Sequence, residues 1–383
     1  MQPEPPRLRD ATLCVTRVEI NNRTGGVILA QILAGEPALA VIYSLQLFGG
    51  DCAGDISLHL RQRTDDSAEA PASIAPVLEG HEISRILCVP QTTGDVLSAT
   101  AAAELTGATL VTYVMDDCNV FNAGISDAGM RRLIERSAVC FAVSPLLCEV
   151  YEQKFGEPFW LLPPVNESRL FAPPDLEPPA NREPRGVIIG NVWSRDVLAD
   201  LRSTIRQSGL HVDWYGNAGR PFLDPDAADL VADGIALHPN LAHESLVPKL
   251  RRCDYAIMPS RVLSEGYAHD FLYRASLPSR LVYLLTTAHL PVVVLGGPDT
   301  TAAQFITGFG LGALSSYDPE PFAEAVRRVT SAPERDAIRT RAAELAPSFA
   351  AEPVADWIWR SAAAGRPVDD RYERLFAGAV SRR

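Results

Sequence analysis

Residues 255–297 read YAIMPSRVLSEGYAHDFLYRASLPSRLVYLLTTAHLPVVVLGG. An apolar run from Tyr255 to Met258 ends in Pro259-Ser260, and a polar loop follows. A helical pattern opens at Ser276-Leu277-Pro278-Ser279-Arg280, and a second apolar run, Pro291 to Gly296, closes the unit. Strand, loop, helix and strand in that order predict one step of a parallel sheet. In such a step the loop after the first strand and the amino end of the helix face one crevice, where unpaired backbone N–H groups favour an anion. Pro278 suits a first helical turn, since its missing N–H would have no partner there, and Ser276 or Ser279 is placed to cap. These residues describe a phosphate cradle and an ordinary Ser-Pro helix start equally well.

The same alternation extends in both directions. Upstream, RGVIIGN, a helix over 194–207, HVDWYG, IALHPN and the helix HESLVPKLRRC lead into the stretch; TTAAQFITG, LGALSSY and the helix PEPFAEAVRRVT follow it. Residues 171–185, FAPPDLEPPANREPR, carry five prolines and no apolar periodicity, which predicts an inter-domain linker. Before the linker a first series runs from TLCVTRV through a Gly25-Gly26 turn, ALAVIYSLQL, DISLHL, SRILCVP, TLVTYVM and VCFAVS, with helices between; Arg61 to Pro76 is a polar, proline-containing stretch. Short aliphatic runs bounded by turn residues are what buried parallel strands look like. The expected fold is therefore α/β: a Rossmann-like doubly wound domain over 1–170, the linker over 171–185, a second such domain over 186–345, and a helical segment over 346–383. Two such domains would place the carboxyl ends of both sheets against a shared cleft.

Composition narrows the function. The chain has 383 residues, 47% hydrophobic and 21% charged, enough for two cores. A net charge of −12 argues against a nucleic-acid binder. Lys154 and Lys249 are the two lysines, so arginine carries nearly all anion recognition. Seven scattered cysteines without zinc or redox spacing suggest free thiols in a reducing compartment. No signal-like segment and no run of membrane-spanning length is present, so a cytoplasmic protein is expected, with peripheral membrane contact left open.

Several residues are placed to carry chemistry. Gly25 and Gly26 follow the first strand, where glycine lets backbone approach a ligand, but the pattern is not GxGxxG and does not support an NAD site. Asp116-Asp117-Cys118-Asn119 lies at a strand's carboxyl end, a position that favours acceptor hydroxyl recognition or a general base over the structural alternative of helix capping and an ion pair with Arg131 or Arg132. Further oxygen ligands for a metal are not identifiable there. Gly190-Asn191 opens the first turn of the second domain, with Ser194 as cap and Arg195 opposing the helix dipole unless an anion binds. Arg280 repeats that arrangement, and two cations at helix amino ends would together hold a pyrophosphate. Glu265 and Asp270 in the intervening loop are candidates for sugar hydroxyls; His238, His243, His269 and His289 lack metal-ligand spacing.

The order of these parts resembles a GT-B glycosyltransferase of the large retaining type, family 4 or "group 1". The segments that carry the resemblance are SPLLCEVYEQKFGEPFWLLPPVNESRLF, IIGNVWSRD, HPNLAHESLVPKLRRCDYAIMPS and SLPSRLVYLLTTAHLPVVV. It implies that Arg195 and Arg280 contact a donor pyrophosphate with Ser279 beside them. Ser260 would end the strand next to the nucleotide, the loop at Leu237 to Asn240, including His238, would sit near the base, and Gly25 and Gly26 would approach from the first domain. The last helices would return to the first domain. Ser276 stands near the first of the family's paired glutamates, and Tyr283 or Leu284 near the second, so the chain departs from the pattern at the ribose contact. The implied activity is transfer of a sugar from a nucleoside-diphosphate sugar to a sugar, lipid-linked or small-molecule hydroxyl, retaining, without metal or other cofactor. Two alternatives stay open: an inverting transferase or nucleotide-sugar epimerase using Asp116 or Asp117 as base, and a non-catalytic partner subunit, motivated by the missing glutamates.

Overall fold

The computed structural model describes residues 7–21, 26–47, 49–60, 66–171, 173–174, 183–192, 194–216, 227–260 and 274–380. They form two compact units, Met1–Pro163 with Ala351–Ala377, and Pro164–Ala350 with Gly378–Arg383.

The first unit is built on seven parallel strands: β1 (Ala11–Val15), β2 (Leu39–Tyr43), β3 (Ile56–His59), β4 (Ile83–Cys88), β5 (Thr109–Val114), β6 (Val139–Ala142) and β7 (Phe159–Leu161), in the order β3-β2-β1-β4-β5-β6-β7. β1, β2 and β6 are buried at every position, as their almost wholly apolar sequences require, with Thr12 the polar exception in β1. Helices α1 (Gly26–Leu33), α2 (Ala70–Leu78), α3 (Thr93–Thr106), α4 (Asp127–Arg136) and α5 (Pro145–Phe155) join them. α3 starts from a capping box in which the Asp95 carboxylate accepts the Thr92 N–H at 2.7 Å and Thr92 Oγ1 accepts the Asp95 N–H at 3.3 Å. Helix α2 takes up the end of the polar, proline-containing stretch 61–76 and runs on to Leu78. Pro71 falls in its first turn, where no N–H is needed, and Ala70 packs with Leu97 and Ala101 of α3.

The second unit repeats the plan with β8 (Arg185–Ile189), β9 (His211–Tyr215), β10 (Ile235–His238), β11 (Tyr255–Ser260), β12 (Val292–Gly296) and β13 (Gly312–Ser315), all parallel, in the order β10-β9-β8-β11-β12-β13. α6 (Arg195–Ser208), α7 (Ala227–Ala232), α8 (His243–Leu250), α9 (Ser279–Thr287), α10 (Thr301–Phe309), α11 (Pro319–Thr330) and α12 (Ala332–Leu345) flank it. The main core packs Ile188, Trp214, Tyr255, Ile257, Val293 and Phe322 on one sheet face. In both sheets the strand order reverses beside the first strand, between β1 and β4 and between β8 and β11. That is the doubly wound arrangement, whose ligands bind outside the carboxyl ends of the strands at the reversal.

The unit boundaries differ from the sequence divisions at 170 and 345. Residues 164–170 belong to the second unit, because the Asn166 N–H donates to Phe349 O at 2.9 Å and Asn166 Nδ2 to Thr286 Oγ1 at 3.0 Å. α12 and the 3₁₀ turn Ala346–Phe349 stay there too, with Phe349 edge-on to Phe305. Only α13 (Val354–Ala364) and α14 (Arg371–Val380), up to Ala377, join the first unit, through Trp357 against Phe141 and the Trp359 indole N–H donating to Glu36 Oε1 at 2.8 Å. Of the expected linker, residues 172 and 175–182 lie outside the described residues, and Arg185 already begins β8.

Candidate functional site at the carboxyl edge of the second sheet

β8 leaves the sheet through Gly190, whose φ of +78° favours glycine. The Gly190 N–H donates to Tyr215 O at 2.8 Å, and its carbonyl accepts the Trp214 indole N–H at 2.8 Å. A Cβ added at Gly216 would overlap Gly190 O and Trp214 Nε1, so the ends of β8 and β9 lie backbone against backbone. Onto this turn comes Arg280 from the first turn of α9. Its Nη1 donates to Ile189 O at 3.2 Å and to Asn191 O at 3.0 Å. A guanidinium is thereby held across the end of the strand at which the sheet order reverses.

The amino end of α9 differs in detail from the sequence expectation. Pro278 is the cap residue itself, not a first-turn residue, and neither Ser276 nor Ser279 provides a side-chain cap. The backbone N–H groups of this end are therefore not claimed by a capping side chain. The segment before it is anchored by Thr301 Oγ1, which donates to Ala275 O at 3.2 Å, and by an Arg274–Asp299 ion pair at 3.2 Å. Ser260 closes β11 beside Gly296; it is buried, and its Oγ has no hydrogen-bond partner among the described residues. At α6, Ser194 Oγ accepts the Asp196 N–H at 3.3 Å, and the exposed Arg195 shares the first turn with Asp196, whose charge suits the dipole.

Gly190, Asn191 and Arg280 are thus in direct contact, Ser279 adjoins Arg280, and Arg195 opens the helix that leaves the same turn. His238 and Tyr283 are not part of this group. The His238 imidazole turns to Asp213, Nε2 to Oδ1 at 2.7 Å, and stacks on Tyr215 with centroids 4.6 Å apart. Tyr283 is buried with its hydroxyl on His243 Nδ1 at 2.9 Å, so its side chain meets α8. Gly26 begins α1 in the first unit. Gly25, Glu265, His269 and Asp270 lie outside the described residues.

In the first unit the Asp116-Asp117-Asn119 group has a different employment from the one its position suggested. Asp117 is 1% exposed and accepts the backbone N–H groups of Asn119, Val120, Phe121 and Asn122 at 2.8–3.2 Å and the Tyr151 hydroxyl at 3.0 Å. A carboxylate has about four lone-pair positions, and five donors saturate them. Asp117 is the anchor of the 118–122 turn rather than an open base. Burial, then the Asp117 charge, holds the Tyr151 phenol above its usual range. Asn119 is committed as well: Nδ2 donates to Ile125 O and Asp127 Oδ1, both at 2.9 Å. Hydrogen bonds from Lys154 and Asn119 hold Asp127 below the usual carboxylate range. Burial and the charges of Asp116 and Asp117 push the Cys118 thiol up to about 12, which leaves no thiolate nucleophile. Asp116, half-buried, is the remaining acid at this strand end.

One functional-looking residue was missed. Asp213 sits in a strand otherwise apolar after its first residue, HVDWY, and is buried between Arg185 and His238. An acid in the middle of a strand covered on both faces was the available signal.

No family model matches the chain, and no curated protein matches it in sequence. Solved structures do resemble it. Anabaena HepE in complex with UDP and glucose superposes with a TM-score of 0.64 at 12% identity, covering 92% of this chain and 99% of that one. The lipopolysaccharide outer core galactosyltransferase WaaB gives 0.58 at 10%, over 93% and 99%. A UDP-N-acetylglucosamine 2-epimerase gives 0.55 at 10%, over 92% and 95%. At these identities the likeness establishes the fold, which is GT-B.

Proposed function

We propose that this protein is a glycosyltransferase that moves a sugar from a uridine-diphosphate donor to a hydroxyl acceptor. The observation that carries the reading is Arg280, hydrogen-bonded across the end of β8 at the sheet reversal and standing at an amino helix end without a side-chain cap. Breaking an anomeric bond leaves negative charge on the departing diphosphate, and a cation and backbone N–H groups fixed in place beforehand stabilise that charge as it develops. Arg195 supplies a second cation to the same turn. The structural likeness to HepE bound to UDP and glucose supports uridine as the base. The reaction is proposed to be retaining, as the family resemblance implies, with the leaving phosphate taking the acceptor's proton, and to need no metal, because the arginines supply positive charge at the leaving group. The acceptor is proposed to be a sugar, lipid-linked or small-molecule hydroxyl, and the protein to work in the cytoplasm, among the described residues of which no helix is long and apolar enough to cross a membrane.

A second reading, epimerisation of the nucleotide sugar, is favoured by the likeness to UDP-N-acetylglucosamine 2-epimerase. Its proposed base was Asp116 or Asp117, and Asp117 is already saturated by five donors. Titration calorimetry with UDP tests the first reading. Arg280→Ala is expected to weaken binding about tenfold or more, the loss of charge-assisted bonds to phosphate, while the protein stays folded by circular dichroism. Unchanged affinity would remove Arg280 from the site. Conversion of UDP-N-acetylglucosamine alone, followed by proton NMR, would decide for the epimerase.

A further inference from the structure

A cavity of the second unit is lined mainly away from the Gly190–Arg280 turn. A space of about 1090 Å³ opens at the amino ends of β8 to β11, where Arg185, His211, Ile235 and Asp254 line it, and runs along the sheet to Tyr215 and His238. Asp213, Tyr215 and His238 lie on the face opposite the main core, since Val212 and Trp214 point into that core.

Its lining inverts the charge of the chain. The whole protein has 47 acids against 35 lysines and arginines, yet six cations, Arg185, Lys249, Arg251, Arg252, Arg335 and Arg339, line the cavity with three acids, Glu183, Asp213 and Asp254. Two of those acids have settled duties. Asp213 holds Arg185 through Nη2 at 2.7 Å and His238 at 2.7 Å, and Asp254 accepts the Arg185 backbone N–H at 2.7 Å. One of only two lysines in the chain is among the cations. Arg335 and Arg339, one turn apart on α12, are 3% and 5% exposed. Arg335 is paired with Asp336, Nη2 to Oδ1 at 2.6 Å, and Arg339 Nη2 donates to Cys253 O at 3.4 Å, so both guanidinium groups are fixed in the cavity wall. The positive field reaches His289, whose imidazole burial, Arg251 and Arg339 together push down to about 4.

We propose that this cavity is a second anion site, built for a phosphate or diphosphate group and distinct from the Gly190–Arg280 turn. Guanidinium forks and an exposed ammonium suit a multi-oxygen anion. The stacked Tyr215–His238 pair at the far end offers a flat surface for whatever bears the phosphate. The phosphate is carried either by a small soluble molecule or by a lipid headgroup.

Inorganic pyrophosphate is the probe, titrated by calorimetry into the full chain and into Lys249→Ala/Arg252→Ala, both of which are exposed positions. The double variant is expected to lose one equivalent of pyrophosphate, or to bind it about tenfold more weakly, with UDP affinity and melting temperature unchanged. A charge-matched control, Arg327→Ala/Arg328→Ala on α11, should bind as the wild type does. Equal stoichiometry and affinity in wild type and Lys249→Ala/Arg252→Ala would overturn the proposal, as would an equal loss in the control, which would reduce the effect to net charge. Sedimentation with phosphatidylglycerol vesicles separates the two carriers: binding that the double variant abolishes assigns a lipid headgroup, and its absence beside intact pyrophosphate binding assigns a soluble phosphate.

Discussion

Asp117 shows how far a residue's chemistry depends on its partners. Its place at the end of β5 is where a doubly wound fold keeps functional side chains, but five donors bind its two oxygens. Asp117→Ala is therefore expected to cost about 2–4 kcal/mol in urea unfolding, as several buried N–H groups lose their acceptor. Asp117→Asn should recover part of that loss; a fully stable Asp117→Ala protein would show that the turn does not rely on this carboxylate. His289 makes a pH prediction. Its folded imidazole titrates at about 4 and its unfolded one at about 6.5. Between those values the unfolded chain binds the extra proton, so this contribution is complete above pH 6.5 and is lost as pH falls toward 4. His289 has φ +52°, which asparagine tolerates, so His289→Asn should flatten the fall in melting temperature over that range. At this scale the sequence displayed the residue types and their strand-end positions. It did not display whether a carboxylate was open or saturated, because the donors to Asp117 include Tyr151 from a different helix.

Among elements, the legible ones were those whose apolar period and bounding turns agree, and most strands and helices of both sheets are of that kind. Helix α2 was not, since Pro71 and Pro76 read as breakers; the helix is short enough to hold one in its first turn and the other near its end. The turn after β8 was legible as a glycine turn, but its tight pairing with β9 was not. Gly216→Ala should overlap Gly190 O and Trp214 Nε1, costing about 1–3 kcal/mol and weakening UDP binding through the displaced Gly190 turn that Arg280 spans. A variant with wild-type melting and UDP affinity would show that this edge has room to spare.

At the scale of the whole molecule, the tail is where sequence and structure divide the chain differently. Helicity beyond Pro333 was readable from composition, whereas its partition was not: α12 packs in the second unit and Trp357 in the first, between Phe141 and Tyr372. Trp357→Ala should cost about 3–5 kcal/mol, seen calorimetrically as a lower melting temperature for the first unit with the second unit's transition retained. A shift of both transitions together would mean the units do not melt independently. By itself the sequence determined two α/β units in succession and the strand-end stretches Gly190-Asn191 and Ser279-Arg280, because local period and turn chemistry act over a few residues; the GT-B arrangement was what its family resemblance implied. Only the tertiary structure decided that Arg280 reaches the carbonyls of Ile189 and Asn191, that Asp117 is also bound by Tyr151, that His238 lines a basic cavity, and that residues 164–170 belong to the second unit. Each of those includes a hydrogen bond or contact between groups far apart in the chain, which no local pattern records.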